Sequence, residues 1–253
     1  MSPIPKGNTA LIEQYRRQLE YSRGGRLHVY RMVGIGNLER VLDVGCGGGA
    51  VTAELNRSCR GSAVGCDVDP QVLQIAVQEY PALRFEQCAP DALPFDDSEF
   101  DLVCAHLTLM WADDPAQLIA QMRRVTRSGG WVAALAEPDY GAGLYNPGDW
   151  LIGEAERELV RQGADPRIGR KLPELFKDAG FERVIRGVVQ SAWDEQRTRE
   201  HAAAEIESVR TLLGGKGPER EQLLDQWAGQ FAQAAQEGRA TVFMPLFFAA
   251  GRK

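Results

Sequence analysis

The sequence predicts an α/β protein built on a doubly wound, mostly parallel sheet, and three observations lead to this prediction. The first is the segment at residues 41–49, VLDVGCGGG, in which an apolar strand runs into closely spaced glycines. The second is the regular alternation of buried strand patterns with helical patterns that follows. The third is Asp67, an acid that ends the next apolar run about 20 residues after the glycines, as in nucleotide-binding βαβ units.

The elements follow one another in a regular order. Gly24-Gly25 separates two helical patterns that precede the first strand. Asp69 and Pro70 are a typical N-cap and first residue of a helix. Ser128-Gly129-Gly130 predicts a turn into the fifth strand. Helices are predicted at residues 9–22, 26–33, 50–58, 70–79 and 115–125, and strands at 41–44, 62–67, 83–87, 100–105 and 131–136.

The C-terminal part departs from this alternation. A helix is predicted at 172–179, a strand at 181–190 and a final strand at 240–251. Two helices, 195–213 and 219–237, fill the long interval between the last two strands. We therefore expect a helical cover at 1–36, a main domain at 37–190 and 240–253, and a helical insertion at 191–239 that is a cap or a dimerisation arm. Residues 140–170 form a second insertion.

The glycine loop predicts close approach of a ligand to the backbone. Gly45, Gly47 and Gly49 tolerate positive φ, and Cys46 lies between the first two. The amides at the start of the next helix would point at whatever the loop holds. A glycine cluster alone is often only a turn. Together with Asp67, which is placed to accept the ribose hydroxyls, it predicts an adenosine-containing ligand.

Asp43 helps to decide which adenosine ligand is bound. Gly45, Gly47 and Ala50 also fit the dinucleotide pattern G-x-G-x-x-G/A, which is weak by itself. A carboxylate two residues before the first glycine would repel the diphosphate of NAD. It would favour the ammonium and sulfonium of S-adenosylmethionine, which has no phosphate.

Four segments resemble the motifs of one enzyme family. VLDVGCGGG, GCDVDP, FDLVCAHLTLMW and RRVTRSGGWV resemble class I S-adenosylmethionine-dependent methyltransferases over about residues 40–135. The similarity is greatest to the small-molecule group with the ubiquinone- and menaquinone-type enzymes, the methyltransferase type 11-like group. The resemblance implies a Rossmann-like sheet of seven strands with an antiparallel last strand. It also implies S-adenosylmethionine as cofactor, S-adenosylhomocysteine as product, and methyl transfer to an O, N or C atom of a small-molecule acceptor.

The same resemblance assigns roles at the adenosine end. Asp67 would bind the ribose, and Val68 would lie against the adenine. The exit of the third strand normally offers an acid to the adenine amino group, but Ala89 stands there, and the next residue, Pro90, has no N–H. Asp91, two positions on, or a water molecule would then replace that contact.

Residues after the fourth and fifth strands would face the reactive methyl group. His106 has a suitable intrinsic pKa for a general base, or it hydrogen-bonds at the methionine end of the cofactor. Glu137 is a second candidate base, although Glu137 and Asp139 are also candidates for cation binding or loop capping. Asp139, Tyr140 and Tyr21 are the expected acceptor-binding residues. Tyr15 and Arg26 of the N-terminal segment are further candidates, unless they only pack or face solvent.

Composition limits the partners. The chain has 253 residues, 44% hydrophobic and 25% charged, and a net charge of −6, so no global field attracts nucleic acid or anionic lipid. No stretch has signal-peptide or transmembrane character, which predicts a cytoplasmic protein. We also expect a monomer or a homodimer. The five cysteines lack zinc spacing, so we expect free thiols and no metal. The alternatives are a non-catalytic S-adenosylmethionine-binding protein and, less favoured, an NAD-dependent oxidoreductase.

Overall fold

The computed structural model describes residues 8–189 and 195–253, with side chains from residue 19 onward except that of Arg197. Within these residues the strands are β1 Arg40–Val44, β2 Ser62–Asp67, β3 Arg84–Gln87, β4 Phe100–Ala105, β5 Thr126–Pro138, β6 Leu144–Asn146, β7 Arg183–Val189, β8 Thr241–Phe243 and β9 Leu246–Arg252. The helices are α1 Asn8–Val33, α2 Ala50–Ser58, α3 Pro70–Glu79, α4 Pro115–Val125, α5 Trp150–Arg161, α6 Ile168–Asp178, α7 Glu195–Leu213 and α8 Pro218–Gln236.

Seven strands form the main sheet in the order β3-β2-β1-β4-β5-β9-β7, which confirms the predicted fold class. The first five strands are parallel, and β9 runs antiparallel to both β5 and β7. Val44, the last residue of β1, pairs with Cys66 on one side and Ala105 on the other. The loops that follow β1, β2 and β4 therefore leave the sheet side by side at one edge, where doubly wound proteins bind ligands.

The N-terminal segment is one continuous helix, and the predicted break at Gly24-Gly25 is wrong. A Cβ atom on Gly25 would lie 2.3 Å from a methyl carbon of Val189 in β7, so glycine here permits close packing against the sheet. Further along α1, Val29 and Tyr30 are buried in the same apolar cluster as Val41 of β1. Gly25 therefore meets a packing requirement, and neither glycine of the pair forms a turn.

The described residues group into two compact units. The first unit comprises the described residues 8–138, 168–189 and 246–253 and contains the main sheet. The second comprises the described residues 139–167 and 195–245, so it includes chain that follows β5 and chain that follows β7. Within the second unit, α7 and α8 pack around a buried cluster that includes Leu213, Leu224, Trp227 and Phe231.

The predicted final strand at 240–251 is wrong as a single element. It is two strands, because β8 pairs with β6 in a separate two-stranded sheet and β9 belongs to the main sheet. Met244 and Pro245 separate them, and proline has no N–H with which to continue a ladder of backbone hydrogen bonds. No helix among the described residues is both long and apolar enough to cross a membrane.

The core of the second unit provides a stability test. Phe231 of α8 is fully buried, whereas Leu223 on the same helix is 41% exposed. Phe231→Ala should lower the free energy of unfolding by about 3–5 kcal/mol, and Leu223→Ala by about 0.5 kcal/mol or less. Denaturant unfolding followed by circular dichroism measures both variants. Equal losses would contradict the assignment of Phe231 to the core.

Candidate functional site

The glycine loop between β1 and α2 is tied to the end of β2 by its backbone. The N–H groups of Gly45 and Cys46 both donate to the carbonyl of Cys66, at 2.8 and 3.0 Å. The N–H of Gly47 donates to Oδ2 of Asp67 at 2.8 Å. Gly47 has a φ of 50°, a conformation that favours glycine. This backbone conformation directs the N–H of Gly47 at the carboxylate of Asp67.

Asp67 joins two loops at the edge of the sheet. Its Oδ2 accepts from Gly47, and its Oδ1 accepts from the N–H of Asp69 at 3.0 Å. Burial raises the pKa of this carboxyl above its ordinary value, although the two backbone hydrogen bonds act in the opposite direction. Asp69 in turn caps α3 by accepting from the N–H of Gln71, which confirms the predicted N-cap.

Asp43 is an acid buried beneath the glycine loop. It is 1% exposed, and its Oδ2 accepts a hydrogen bond of 2.7 Å from Oγ1 of Thr52 in α2. Its Oδ1 has no hydrogen-bond partner among the described residues. Burial raises its pKa from 3.8 to about 7, and the nearby Asp67 adds to the rise. A buried carboxylate oxygen without a partner is costly, and a cation or a hydrogen-bond donor placed there would offset that cost.

The surface next to Asp67 is open and partly apolar. Val68 is 55% exposed, which is unusual for a valine at the end of a buried strand. Ala89, Pro90 and Asp91 follow β3 and are all exposed, and the carbonyl of Ala89 accepts from the N–H of Ala92 to close a tight turn. The structure therefore places Val68 and Asp91 after neighbouring strands, β2 and β3.

His106, the residue after β4, belongs to a buried polar network. Its Nε2 lies 2.7 Å from Oγ of Ser22 and 3.5 Å from a guanidinium nitrogen of Arg26, both in α1. Arg26 is fully buried and forms a two-pronged pair with Glu54 of α2, with nitrogen–oxygen distances of 2.8 and 2.9 Å. Burial and the charge of Arg26 lower the pKa of His106 to about 3.

Glu137, near the end of β5, binds the turn that follows β4. Its Oε1 accepts from the N–H groups of Thr108 and Leu109 at 2.9 and 3.0 Å, and its Oε2 accepts from that of Met110 at 3.2 Å. Burial raises its pKa to about 7, against the effect of the three hydrogen bonds. These contacts match loop capping, the alternative use that the sequence left open for this residue.

The three expected acceptor-binding residues belong to different units of the chain. Tyr21 is half-buried and packs against the apolar cluster of the first unit. Asp139 and Tyr140 belong to the second unit, where Asp139 is buried and its N–H donates to the carbonyl of Pro245. The side chain of Tyr15 lies outside the described part of the chain.

Three residues that contact the candidate site residues were missed from the sequence: Ser22, Thr52 and Glu54. Ser22 and Arg26 are four positions apart and share a face of α1, but a helical pattern does not show which partner that face meets. Thr52 and Glu54 reach Asp43 and Arg26 from α2 across 9 and 28 positions of chain. The packing of α1 against α2 brings Arg26 to Glu54, and the packing of α2 against β1 brings Thr52 to Asp43.

The cysteines are free thiols, as predicted from their spacing. Cys46, Cys66, Cys88 and Cys104 are buried, and Cys59 is partly exposed. Burial raises the pKa of the Cys46 and Cys104 thiols well above its ordinary range, so both are protonated at neutral pH. Among the described residues, no cluster of His, Cys, Asp or Glu is arranged to hold a metal ion.

Comparison with known proteins identifies the family. The family described as "Methyltransferase domain" matches residues 42–134, which include most of β1, the glycine loop and most of β5. Demethylmenaquinone methyltransferase of Roseiflexus castenholzii is 32% identical over 161 residues, 62% of this chain and 68% of that protein. Together with the sheet order, these matches show that the chain belongs to the class I S-adenosylmethionine-dependent methyltransferases, whose methyl donor is S-adenosylmethionine.

Solved structures share the fold at low sequence identity. Phosphoethanolamine N-methyltransferase 2 of Haemonchus contortus has a TM-score of 0.60 and 18% identity, covering 90% of this chain and 52% of that one. The [4+2]-cyclase SpnF has a TM-score of 0.58 and 20% identity, covering 90% and 80%. The chain spans only 43%, 60% and 66% of the length of three further curated relatives.

The residues at the edge of the sheet fit S-adenosylmethionine. The unpartnered Oδ1 of Asp43 suits a cationic ligand and opposes a diphosphate. Asp67 keeps acceptor capacity for hydroxyl groups beyond its two backbone bonds. The exposed apolar side chain of Val68 offers a surface for a flat ring.

The raised pKa of Asp43 predicts how cofactor affinity depends on pH. In the free protein this carboxyl is protonated well below about pH 7, and the bound cation favours its ionised form. The affinity for S-adenosylmethionine should therefore rise from roughly pH 5.5 to pH 7, by at most about tenfold per pH unit for one released proton. Calorimetry in buffers of different ionisation enthalpy measures both affinity and proton release.

Asp43→Asn is the control, because its amide oxygen can still accept from Thr52. Any pH dependence of the affinity that remains in this variant would come from Asp67, whose pKa is also raised. An unchanged slope would remove Asp43 from the linkage, and a fall in wild-type affinity over this range would contradict the sign of the prediction.

Proposed function

We propose that this protein transfers the methyl group of S-adenosylmethionine to an oxygen, nitrogen or carbon atom of a small-molecule acceptor. The proposal depends most on one observation, the buried Asp43 with its unpartnered oxygen beneath a glycine loop that Asp67 holds in place. Two carboxyl groups at adjacent strand ends favour a cationic nucleoside over a dinucleotide with two phosphates.

The order of the strands suggests how the cofactor is held. The ribose lies between adenine and methionine in S-adenosylmethionine, and β2 lies between β3 and β1 in the sheet. Adenine would lie toward Val68 and Asp91, and the methionine part toward β1 and β4. The proposed cofactor-binding residues are Asp43, Gly45, Cys46, Gly47, Gly49, Asp67, Val68, Ala89, Pro90, Asp91 and His106.

The chemistry supplied by the cofactor is an activated methyl group on a positively charged sulfur. The protein's task is to align the acceptor with that methyl group and exclude water, since held reactants react far faster than free ones. His106 directly follows β4, and Glu137 lies near the end of the neighbouring strand β5, both at the ligand-binding edge of the sheet. Their contacts support binding and loop-capping roles, and a general-base role for either of them stays a prediction.

Two of the expected acceptor-binding residues directly follow β5. The chain enters the second unit immediately after β5, at Asp139 and Tyr140, which we propose as acceptor-binding residues. Related proteins bear the names of a demethylmenaquinone methyltransferase and a phosphoethanolamine N-methyltransferase. These names support a small-molecule acceptor and differ in its chemistry. The role of residues 191–239 as a cap or dimerisation arm, and the choice between monomer and homodimer, stay predictions.

A second candidate is a cofactor-binding protein that does not transfer the methyl group. The observation in its favour is the shared fold of the [4+2]-cyclase SpnF, which shows that the fold is not restricted to proteins named as methyltransferases. Incubation with methyl-labelled S-adenosylmethionine and a panel of small hydroxy, amino and quinol compounds would separate the two. Label in a product supports transfer, whereas tight binding without turnover across the panel supports the second candidate.

The ribose contact gives the sharpest mutational test. Asp67→Asn should weaken S-adenosylmethionine binding by about 1.5–3 kcal/mol, because the amide can no longer accept from both backbone groups and the ribose. Asp69→Asn is the matched control, since asparagine caps a helix as well as aspartate. Calorimetric titration with S-adenosylmethionine and, separately, with NAD measures each variant. Equal affinity in both variants, or preference of the wild type for NAD, would overturn the assignment.

A further inference from the structure

We propose that Glu137 is a positioning residue. Its carboxylate holds a strained turn, residues 107–110, in the conformation that places Thr108 against Gly45 of the glycine loop, and it thereby shapes that loop for the cofactor. The strain in the turn and its restraint by Glu137 concern the protein alone. The effect on cofactor binding rests on the proposed function.

Leu107 has a backbone conformation that leucine rarely adopts. Its φ is 53°, and the only other non-glycine residue with a positive φ in the described part of the chain is Ser98. The left-handed conformation brings a Cβ atom close to the following carbonyl oxygen, which costs free energy, and bulky side chains are rare there. Such conformations persist when the surrounding structure holds them, and they are concentrated at functional sites. Other contacts must therefore hold this turn.

Two adjacent residues of β5 hold the four backbone N–H groups of the turn. The N–H of Leu107 donates to the carbonyl of Ala136 at 3.0 Å, beyond the end of β4. The next three N–H groups, those of residues 108–110, donate to the carboxylate of Glu137 at 2.9, 3.0 and 3.2 Å. Glu137 is 0% exposed, and hydrogen bonds to a charged acceptor in a buried place are among the stronger ones. These bonds oppose the strain at Leu107.

The turn brings Thr108 into direct contact with the glycine loop. A Cβ atom on Gly45 would lie 2.3 Å from Cγ2 and 2.4 Å from Oγ1 of Thr108, so the threonine side chain fills the space next to the bare glycine backbone. Its hydroxyl lies 3.4 Å from the carbonyl of Gly45. Gly45 in turn donates its N–H to the carbonyl of Cys66, the residue before Asp67. Because closely packed groups transmit displacements, the position of Thr108 affects the conformation of the loop.

These contacts give Glu137 an indirect role in binding. Both of its carboxylate oxygens accept from backbone groups of the turn before any ligand is present. Glu137 would act on the cofactor through Thr108 and Gly45, without touching it. If the carboxylate is removed, Leu107 should return to an ordinary φ, and Thr108 should move away from Gly45. A residue at position 107 that accepts a positive φ without strain should cancel this effect.

The stability of two variants tests the strain without ligand. Leu107→Gly and Leu107→Ala both remove the packing of the leucine side chain, but only glycine also removes the strain of the positive φ. The glycine variant should therefore unfold at a higher denaturant concentration than the alanine variant. At an ordinary φ the order is reversed, so Ala112→Gly, at a φ of −77° nearby, is the control and should lower the midpoint. A less stable glycine variant at position 107 would overturn the proposed strain.

Calorimetry with S-adenosylhomocysteine tests the role of Glu137. Glutamine keeps the size of the side chain, but in Glu137→Gln the amide nitrogen must face at least one N–H donor of the turn. We expect affinity to fall roughly tenfold, as for the loss of a hydrogen bond to a charged group. With Leu107→Gly as the background, the same substitution should change affinity by less than about threefold, because the two sites are coupled. With Leu107→Ala as the background, the roughly tenfold loss should remain.

The same comparison decides the proposal if Glu137→Gln alone does not fold. Leu107→Gly should then restore a folded protein by circular dichroism, and Leu107→Ala should not. A folded Glu137→Gln variant with wild-type affinity, or rescue by both or by neither of the substitutions at position 107, would overturn the positioning role. If the wild type does not bind S-adenosylhomocysteine, the proposed function and the effect on cofactor binding both fail, while the stability of the Leu107 variants still decides the strain.

Discussion

The ligand-binding edge of the sheet depends on the two backbone hydrogen bonds that the carboxylate of Asp67 accepts. This carboxylate accepts one hydrogen bond from the glycine loop after β1 and one from the start of α3, so it joins the turns that leave two adjacent parallel strands. Parallel pairing brings those strand ends together, but it does not fix the conformation of the loops. Because Asp67 is itself the last residue of β2, the rigid sheet determines where the loop amides lie. The arrangement of Asp43, Val68 and His106 around the loop follows from that placement.

A second set of polar contacts attaches the N-terminal helix to the same edge. Arg26 binds Glu54 of α2 and reaches His106 after β4, so one buried side chain connects three elements of the first unit. A buried ion pair adds little net stability compared with apolar packing, but breaking it by removing one partner costs about 3–5 kcal/mol. The network therefore specifies one position of α1 in addition to the apolar contacts of Val29 and Tyr30. In this way the helix that precedes the sheet contacts His106 in the candidate site.

The sequence predicted those features whose cause lies in neighbouring residues. The cap of α3 at Asp69 and the span of α7 are local patterns, and both agree with the structure. Features with a distant cause were predicted wrongly or not at all. Gly25 in α1 is explained by Val189, more than 160 residues away, whereas the sequence of the helix alone indicates a break. Pro245 divides the last apolar run between two sheets, a choice that depends on where β6 lies.

The candidate site shows the same division. The glycine loop follows β1, and Asp67 ends β2 after the single helix α2, so the spacing of one strand–helix–strand unit allowed their grouping to be predicted. The contacts of His106 with Ser22 and of Glu137 with the turn after β4 depend on side chains that meet only after the sheet is assembled. The sequence therefore identified which residues lie at this edge, and the structure was needed to show the hydrogen bonds that each of them makes.

The most direct test of the account is a crystal structure of the protein with S-adenosylhomocysteine. We expect both ribose hydroxyls to contact the carboxylate of Asp67, the adenine ring to cover Val68, and the homocysteine part to point toward β4 and His106. A nucleoside bound with the opposite orientation, or bound away from the glycine loop, would contradict it.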